Sequence, residues 1–270
     1  MMKIALCFSG NIRDLEETKY FWLELIEKYK IDVYASFWDI ENVDIGDTVD
    51  NFARIYNAKK IEIENYSIFK QTTQDFASMN IESPNGLAQF FKDTSKNFAQ
   101  LPMWYKIWKC NMLSKQLGIE YDLVIRARTD IMLDDNFNIV LNNMLNVPMG
   151  SNNSMWINSN GINDCIAYAT PKIMDYYSVL YLHMMEYLKS GHYLFPPEHF
   201  LAVHFSKVHI EIRYFPNYMT ITRKSKGTPN EIYNNFMLEP VESFRWSDSI
   251  EFIPDSNGSF KKEIKDDFIV

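Results

Sequence analysis

The 270-residue sequence predicts an α/β fold, a mostly parallel sheet flanked by helices within one domain. Three observations carry that expectation. The first 39 residues alternate a buried strand, an amphipathic helix and a second buried strand, the β–α–β unit of a parallel pair with a right-handed crossover. A second amphipathic helix, "LPMWYKIWKCNMLSKQLGIE" (101–120), leads straight into an apolar strand, "YDLVIRARTD" (121–130). No internal repeat and no Gly/Ser linker divides the chain.

In order, "KIALCF" is a fully buried strand and "SGNIRD" turns the chain. Asp14 followed by Glu17 fits a capping pair that opens a helix, with Leu15, Trp22, Leu23, Ile26 and Tyr29 at helical spacing. "IDVYASFWD" (31–39) is the second buried strand and "KKIEIEN" (59–65) an alternating third. Residues 66–100, with "SPNG" at 83–86, are polar and weakly patterned, so loops and short helices are expected there. The 101–120 helix ends near Gly118 before the central strand. Further on, "NSMWINSN" and "DCIAYAT" suggest antiparallel strands or a loop pair. A helix from Pro171 to about Lys189 follows, and then one opened by Pro196 and Pro197. "IEIRYFPNYMTITR" (210–223) reads as strand, and the tail from about Thr228 as irregular.

Composition narrows the function classes. Hydrophobic residues at 47% and charged residues at 23% are ordinary for a soluble globular protein. A net charge of −8 disfavours non-specific nucleic-acid binding, although a local cationic pocket stays open. Aromatics at 15% imply a thick core or a stacking-rich cleft. Cys7, Cys110 and Cys165 are far apart and show no metal-ligand spacing, which fits small buried side chains in a reducing cytosol. The apolar stretch from Ile4 to Ser9 is too short for a signal peptide or a membrane span. No transmembrane segment is expected, and the run at 176–195 is broken by His183, Glu186 and Lys189.

The chemistry-bearing residues gather at predicted strand ends. Arg126, Arg128 and Asp130 alternate, so an extended chain sends all three out of one face. In open parallel sheets, ligands lie beyond the carboxyl ends of the strands. Two guanidiniums there suit a diphosphate, and Asp130 suits a divalent cation bridging the same phosphates. The competing reading is an internal ion-pair network with Asp39, Asp122 or Glu198. Asp134 and Asp135 are reserve metal ligands or solvated turn acids.

After the first strand, Gly10 allows close backbone approach, Ser9 and Asn11 can hydrogen-bond a ligand, and Arg13 can reach a phosphate. Neither GxGxxG nor a P-loop occurs. Trp38 and Asp39 close the second strand at the same edge, where a base or ribose contact competes with simple packing. Asp164 sits in "INDCIAYAT", and Glu198 and His199 open a helix. Glu198 is a general base if enclosure raises its pKa, or a helix-dipole partner if not. His204 lies on an apolar stretch and reads as a core histidine.

Taken in order, "KIALCFSGNIRD…DVYASFWD", "LPMWYKIWKCNML…YDLVIRARTDIML" and "INDCIAYATPKIMDYYS…PPEHFL" resemble bacterial glycosyltransferases of the GT-A type, found in capsule, lipooligosaccharide or O-antigen gene clusters. The resemblance covers roughly residues 2–205. It implies a GT-A-like (Rossmann-like) mixed, mostly parallel sheet in a single domain over 1–270. Within it, 1–135 is the nucleotide-binding half, 136–227 the donor-sugar and acceptor half, and 228–270 the tail. The implied donor is a nucleoside diphosphate sugar, held by Ser9, Gly10, Asn11, Arg13, Asp39, Arg126, Arg128 and Asp130. The implied acceptor is a glycan or a lipid-linked acceptor, and the implied cofactor is Mn or Mg at Asp130. "RARTD" stands where that family carries Asp-x-Asp, with Arg128 in place of the first acid, so the arginines can take over charge neutralisation. Asp164 or Glu198 is the implied base of an inverting displacement. The implied location is cytoplasmic, with loose attachment at the inner membrane if the acceptor is lipid-linked. A phosphoryl- or nucleotidyltransferase, or a non-catalytic nucleotide-sugar-binding module, are the alternatives at the same edge.

Overall fold

The computed structural model describes residues 2–73, 94–133, 137–148, 162–189, 197–215, 219–222, 244–247, 250–254 and 260–264. β1 (Ile4–Gly10), α1 (Leu15–Tyr29) and β2 (Asp32–Trp38) form the expected β–α–β unit, with β1 and β2 parallel. A 3-10 turn (Val43–Ile45) and α2 (Val49–Tyr56) lead to β3 (Lys60–Glu64), parallel to β2. After α3 (Tyr66–Thr72), α4 (Thr94–Lys115) returns the chain to β4 (Leu123–Ala127), which lies parallel to β1 on its other side. Then come β5 (Ile131–Leu133), β6 (Leu145–Pro148), β7 (Ile166–Ala169), α5 (Pro171–Ser178), α6 (Leu180–Lys189), α7 (Pro197–Phe205), β8 (Ile212–Phe215) and β9 (Met219–Ile221).

The central seven strands stand in the order β3-β2-β1-β4-β7-β6-β8. Only β7 runs against its neighbours, so this part of the sheet is mixed and mostly parallel. β10 (Phe244–Ser247), β11 (Ile250–Pro254) and β12 (Phe260–Ile264) extend it antiparallel from β8.

Both faces of β1, β2 and β4 are buried, as strands covered on two sides require. Alternate residues divide between two cores. Leu6, Phe8, Val33 and Ile125 meet Trp22 of α1 and Phe52 of α2. Ala5, Cys7, Tyr34 and Val124 meet the helices α4 to α7 through Trp104, Tyr177 and Phe200.

α4 runs antiparallel to the strands it covers. Near its C-terminal end Gln116 meets Lys60 at the start of β3, and in its middle the Cys110 thiol donates to the Phe8 carbonyl at 3.3 Å. Lys106, a turn earlier, donates to Glu64 at the end of β3 at 2.7 Å. The first half of α4 therefore roofs the carboxyl edge of the sheet.

Four expectations are corrected. α4 begins at Thr94 rather than Leu101, with Pro102 inside it. An interior proline costs a helix about 3 kcal/mol, and burial of Leu101, Trp104 and Ile107 offsets it. The 171–189 helix breaks at Val179 into α5 and α6. The 210–223 strand divides into β8, in the main sheet, and β9, which pairs with β5 in a separate two-stranded sheet. The tail from 228 contributes three strands where it is described, because an open edge at β8 offers unpaired backbone groups. "SPNG" and "NSMWINSN" lie outside the described residues. Among the described residues, no helix is long and apolar enough to cross a membrane.

Candidate functional site

The turn after β1 is built around two left-handed residues, Gly10 at φ 108° and Asp14 at φ 51°. Asp14 does not cap α1 with its side chain, so the expected Asp14–Glu17 pair is corrected. The cap comes from Asp47, 33 residues away, which accepts from Asp14 N–H at 2.8 Å and Leu15 N–H at 3.0 Å. Burial pushes the Asp47 carboxyl above its ordinary range, the two backbone donors oppose that, and the Asp130 charge adds to it. Such a long-range cap leaves no trace in local spacing. Ser9 is buried at the end of β1, and Asn11 and Arg13 are half-buried in the turn.

The N-terminus of α1 docks on the turn after β4. Arg13 N–H donates to Thr129 Oγ1 at 2.9 Å, Thr18 Oγ1 to the Thr129 carbonyl at 2.6 Å, and Trp22 Nε1 to the Ile131 carbonyl at 3.0 Å. These bonds bring Arg13 alongside Arg128 and Asp130. Arg128 grips Asp130 with both arms of its fork, Nε to Oδ1 at 2.8 Å and Nη2 to Oδ2 at 2.6 Å. Arg13 reaches the same carboxylate at 3.9 Å while staying 34% exposed. Burial works against the Arg128 charge, but Asp130, then Cys165 and Asp164, hold its pKa above the ordinary value.

Arg126 behaves differently. It is 2% exposed, and none of its three guanidinium nitrogens has a hydrogen-bond partner among the described residues. Asp122 is no partner, because it sits at the other end of β4 and accepts from Lys3 N–H at 2.8 Å. Buried cations elsewhere are compensated. Lys106 has Glu64 at 2.7 Å and the Trp38 ring at 4.3 Å.

Glu198 opens α7, and its carbonyl accepts from Ile162 N–H at 2.9 Å, tying the segment that carries Asp164 to this helix. Asp164 is buried and Glu198 half-buried, and the buried Glu198 Oε2 has no hydrogen-bond partner among the described residues. Burial, then the Asp164 charge, push the Glu198 carboxyl up to about 8, against a weaker pull from Arg128. Between the acids and arginines lies Cys165. Its thiol donates to Asp164 at 3.7 Å and accepts from Arg128 Nη1 at 3.8 Å. Burial pushes that thiol far up, so it stays protonated and is no nucleophile. Burial raises the Tyr177 hydroxyl, Arg126 opposes that, and Asp164, Cys165 and Glu198 add to it, so the charges of all four groups reach it.

Other expected residues lie apart. Asp39 is exposed and serves the start of α3, accepting from Tyr66 N–H at 2.8 Å and Asn65 Nδ2 at 2.6 Å. Trp38 is buried in an aromatic cluster with Tyr66, Phe69 and Tyr105. His204 is a core histidine. Its Nε2–H donates to the Tyr176 carbonyl at 2.7 Å, Nδ1 pairs with the Tyr187 hydroxyl at 2.8 Å, and burial pulls its pKa down to about 4. Asp134, Asp135 and the side chain of His199 lie outside the described residues.

Among the described residues, the donors around Asp130 do not make up a divalent-cation site. Both of its oxygens are taken by Arg128, and among the described residues no group of three His, Cys, Asp or Glu side chains can hold a metal ion. Asp130 is placed as a counter-ion.

Sequence reasoning passed over Ser36, Gln100, Trp104 and Tyr177, which carry buried, unpartnered polar atoms on the Arg126 side of the sheet. Ser36 inside the apolar run "DVYASFW" was the one legible signal. Comparison of the chain with protein-family models and with curated proteins finds no match.

Proposed function

We propose that the protein is a nucleotide-sugar-dependent glycosyltransferase with a GT-A-like fold, adding a sugar to a bacterial surface glycan. The observation that supports it best is a pair of unpartnered groups at one sheet edge, the buried cation Arg126 and the carboxyl of Glu198 with its pKa near 8. An inverting transfer uses a base at the acceptor and cations at the leaving group, and Arg13 and Arg128 stand beyond the strand ends for the second role. The acceptor hydroxyl must lose a proton as it attacks the anomeric carbon, and the sugar–phosphate bond breaks with negative charge building on the departing nucleotide.

A base is most effective with a pKa close to the working pH, and Glu198 has that value. Ionised Glu198 takes the hydroxyl proton. Asp164 beside it keeps Glu198 basic by like-charge repulsion. Guanidiniums fixed in a water-poor site stabilise the leaving charge without reorganising. Arg13 and Arg128, beyond the strand ends, face the leaving diphosphate. Arg13 and Arg128 together outweigh the single charge of Asp130, which leaves net positive charge where the family resemblance implies a metal.

The test is incubation with UDP-, GDP-, CMP- and TDP-sugars and scoring of free nucleotide. Slow release of nucleoside diphosphate, or of CMP from a CMP-sugar, supports the reading. A phosphorylated or nucleotidylated product, or binding without turnover, rejects it.

A further inference from the structure

Six side chains on one face of the sheet's carboxyl edge bury polar atoms that find no partner among the described residues: Ser9, Ser36, Gln100, Trp104, Arg126 and Tyr177. Their placement follows from register. Ser9 and Ser36 are neighbours across β1 and β2, and Arg126 stands beside Cys7, two residues before Ser9 on the same side. Gln100 and Trp104 are one turn apart in the half of α4 that roofs this edge. The Trp104 ring lies 5.6 Å from that of Tyr177.

Native proteins leave few buried polar groups unsatisfied, and a cluster of them around a buried cation asks for a ligand. Its chemistry can be read from the inventory. The indole N–H and the guanidinium only donate, the three hydroxyls can donate, and Gln100 Oε1 alone must accept. A donor-rich cluster centred on a guanidinium fits an oxyanion.

Two anions are available on a nucleotide sugar, the phosphates and an acidic group on the sugar. Phosphates belong beyond the strand ends, where Arg13 and Arg128 stand. Arg126 lies deeper, buried on the side of the sheet that α4 and α5 cover. A neutral sugar would leave this buried charge uncompensated. Resting on the glycosyltransferase reading, we infer that the transferred sugar is a sugar acid whose carboxylate pairs with Arg126, its oxygens also accepting from Trp104 and Tyr177.

The Trp104 indole N–H gives a direct readout by two-dimensional NMR of the ¹⁵N-labelled full chain, assigned with Trp104→Phe. Glucuronate or N-acetylneuraminate is expected to shift that resonance saturably, with glucose and pyrophosphate silent at equal concentration. Arg126→Met should weaken the response at least tenfold. Arg126→Lys, which keeps the charge and loses the fork, serves if the Met variant does not fold. Silence with both acids, a shift driven by pyrophosphate, or an undiminished response in the variant overturns the inference. A sugar-acid response in a protein that releases no nucleotide from any donor would sink the transferase reading and leave this site standing.

Discussion

Arg126 and Arg128 stand two residues apart at the end of β4, and among the described residues only Arg128 is bonded to a carboxylate. It holds Asp130 at 2.6 and 2.8 Å, whereas the Arg126 nitrogens hold nothing. A buried charge without a partner is a cost that folding alone would remove. The contrast separates a cation spent on the fold from one kept for something else.

Opposite stability effects follow. Arg126→Met removes an uncompensated charge and should leave the thermal midpoint unchanged or raised. Arg128→Met strips Asp130 of its bidentate partner and should destabilise by on the order of 2 kcal/mol. Chemical denaturation of both variants at pH 7 checks the pair. Equal losses would mean that Arg126 has structural partners after all.

Glu198 links stability to pH with a definite sign. Its folded pKa, about 8, lies above the ordinary carboxyl value of 4.5, so the folded state binds more protons between those limits. Stability therefore falls as pH rises from about 4.5 to 8. Glu198→Gln should flatten that slope, gaining on the order of a few kcal/mol at pH 8.5 relative to wild type. Urea midpoints across pH 5–9 measure it, and parallel curves would contradict the burial of this carboxyl.

Asp47 holds the start of α1 and, through it, the Arg13–Thr129 contact. Asp47→Ala should cost about 1–2 kcal/mol and increase hydrogen exchange at Asp14 and Leu15. Unchanged exchange at those amides would show that the cap is dispensable.

Metal removal should matter little. With Asp130 committed to Arg128, nucleotide release in EDTA is expected within about twofold of that with Mn²⁺. A loss above tenfold, restored by Mn²⁺, would show the carboxylate giving up its arginine for a cation.

The front of the fold was legible because periodicity and burial agree there. β1, α1, β2 and β4 follow from apolar runs and helical spacing that no tertiary contact overrides. α4 was legible only in part, since Pro102 resembles a helix start until the burial of Leu101 and Trp104 is seen. Ser9 and Arg126 stand out in the sequence as polar residues near the ends of apolar strands. The Asp47 cap depends on a contact 33 residues away, and Gln100, Trp104 and Tyr177 look like ordinary amphipathic helix positions. Alternation put Arg126 and Arg128 on one face, but it could not tell which would be neutralised, because β4 ends at Ala127 and the turn decides.

The most direct measurement is nucleotide release from the best donor by wild type and Glu198→Gln side by side, across pH 6–9. Wild-type kcat is predicted to rise with Glu198 ionisation to a plateau above pH 8, and the variant to lose about 10²–10⁴-fold with its fold intact. A pH-independent wild-type rate, or a variant as fast as wild type, would contradict the account.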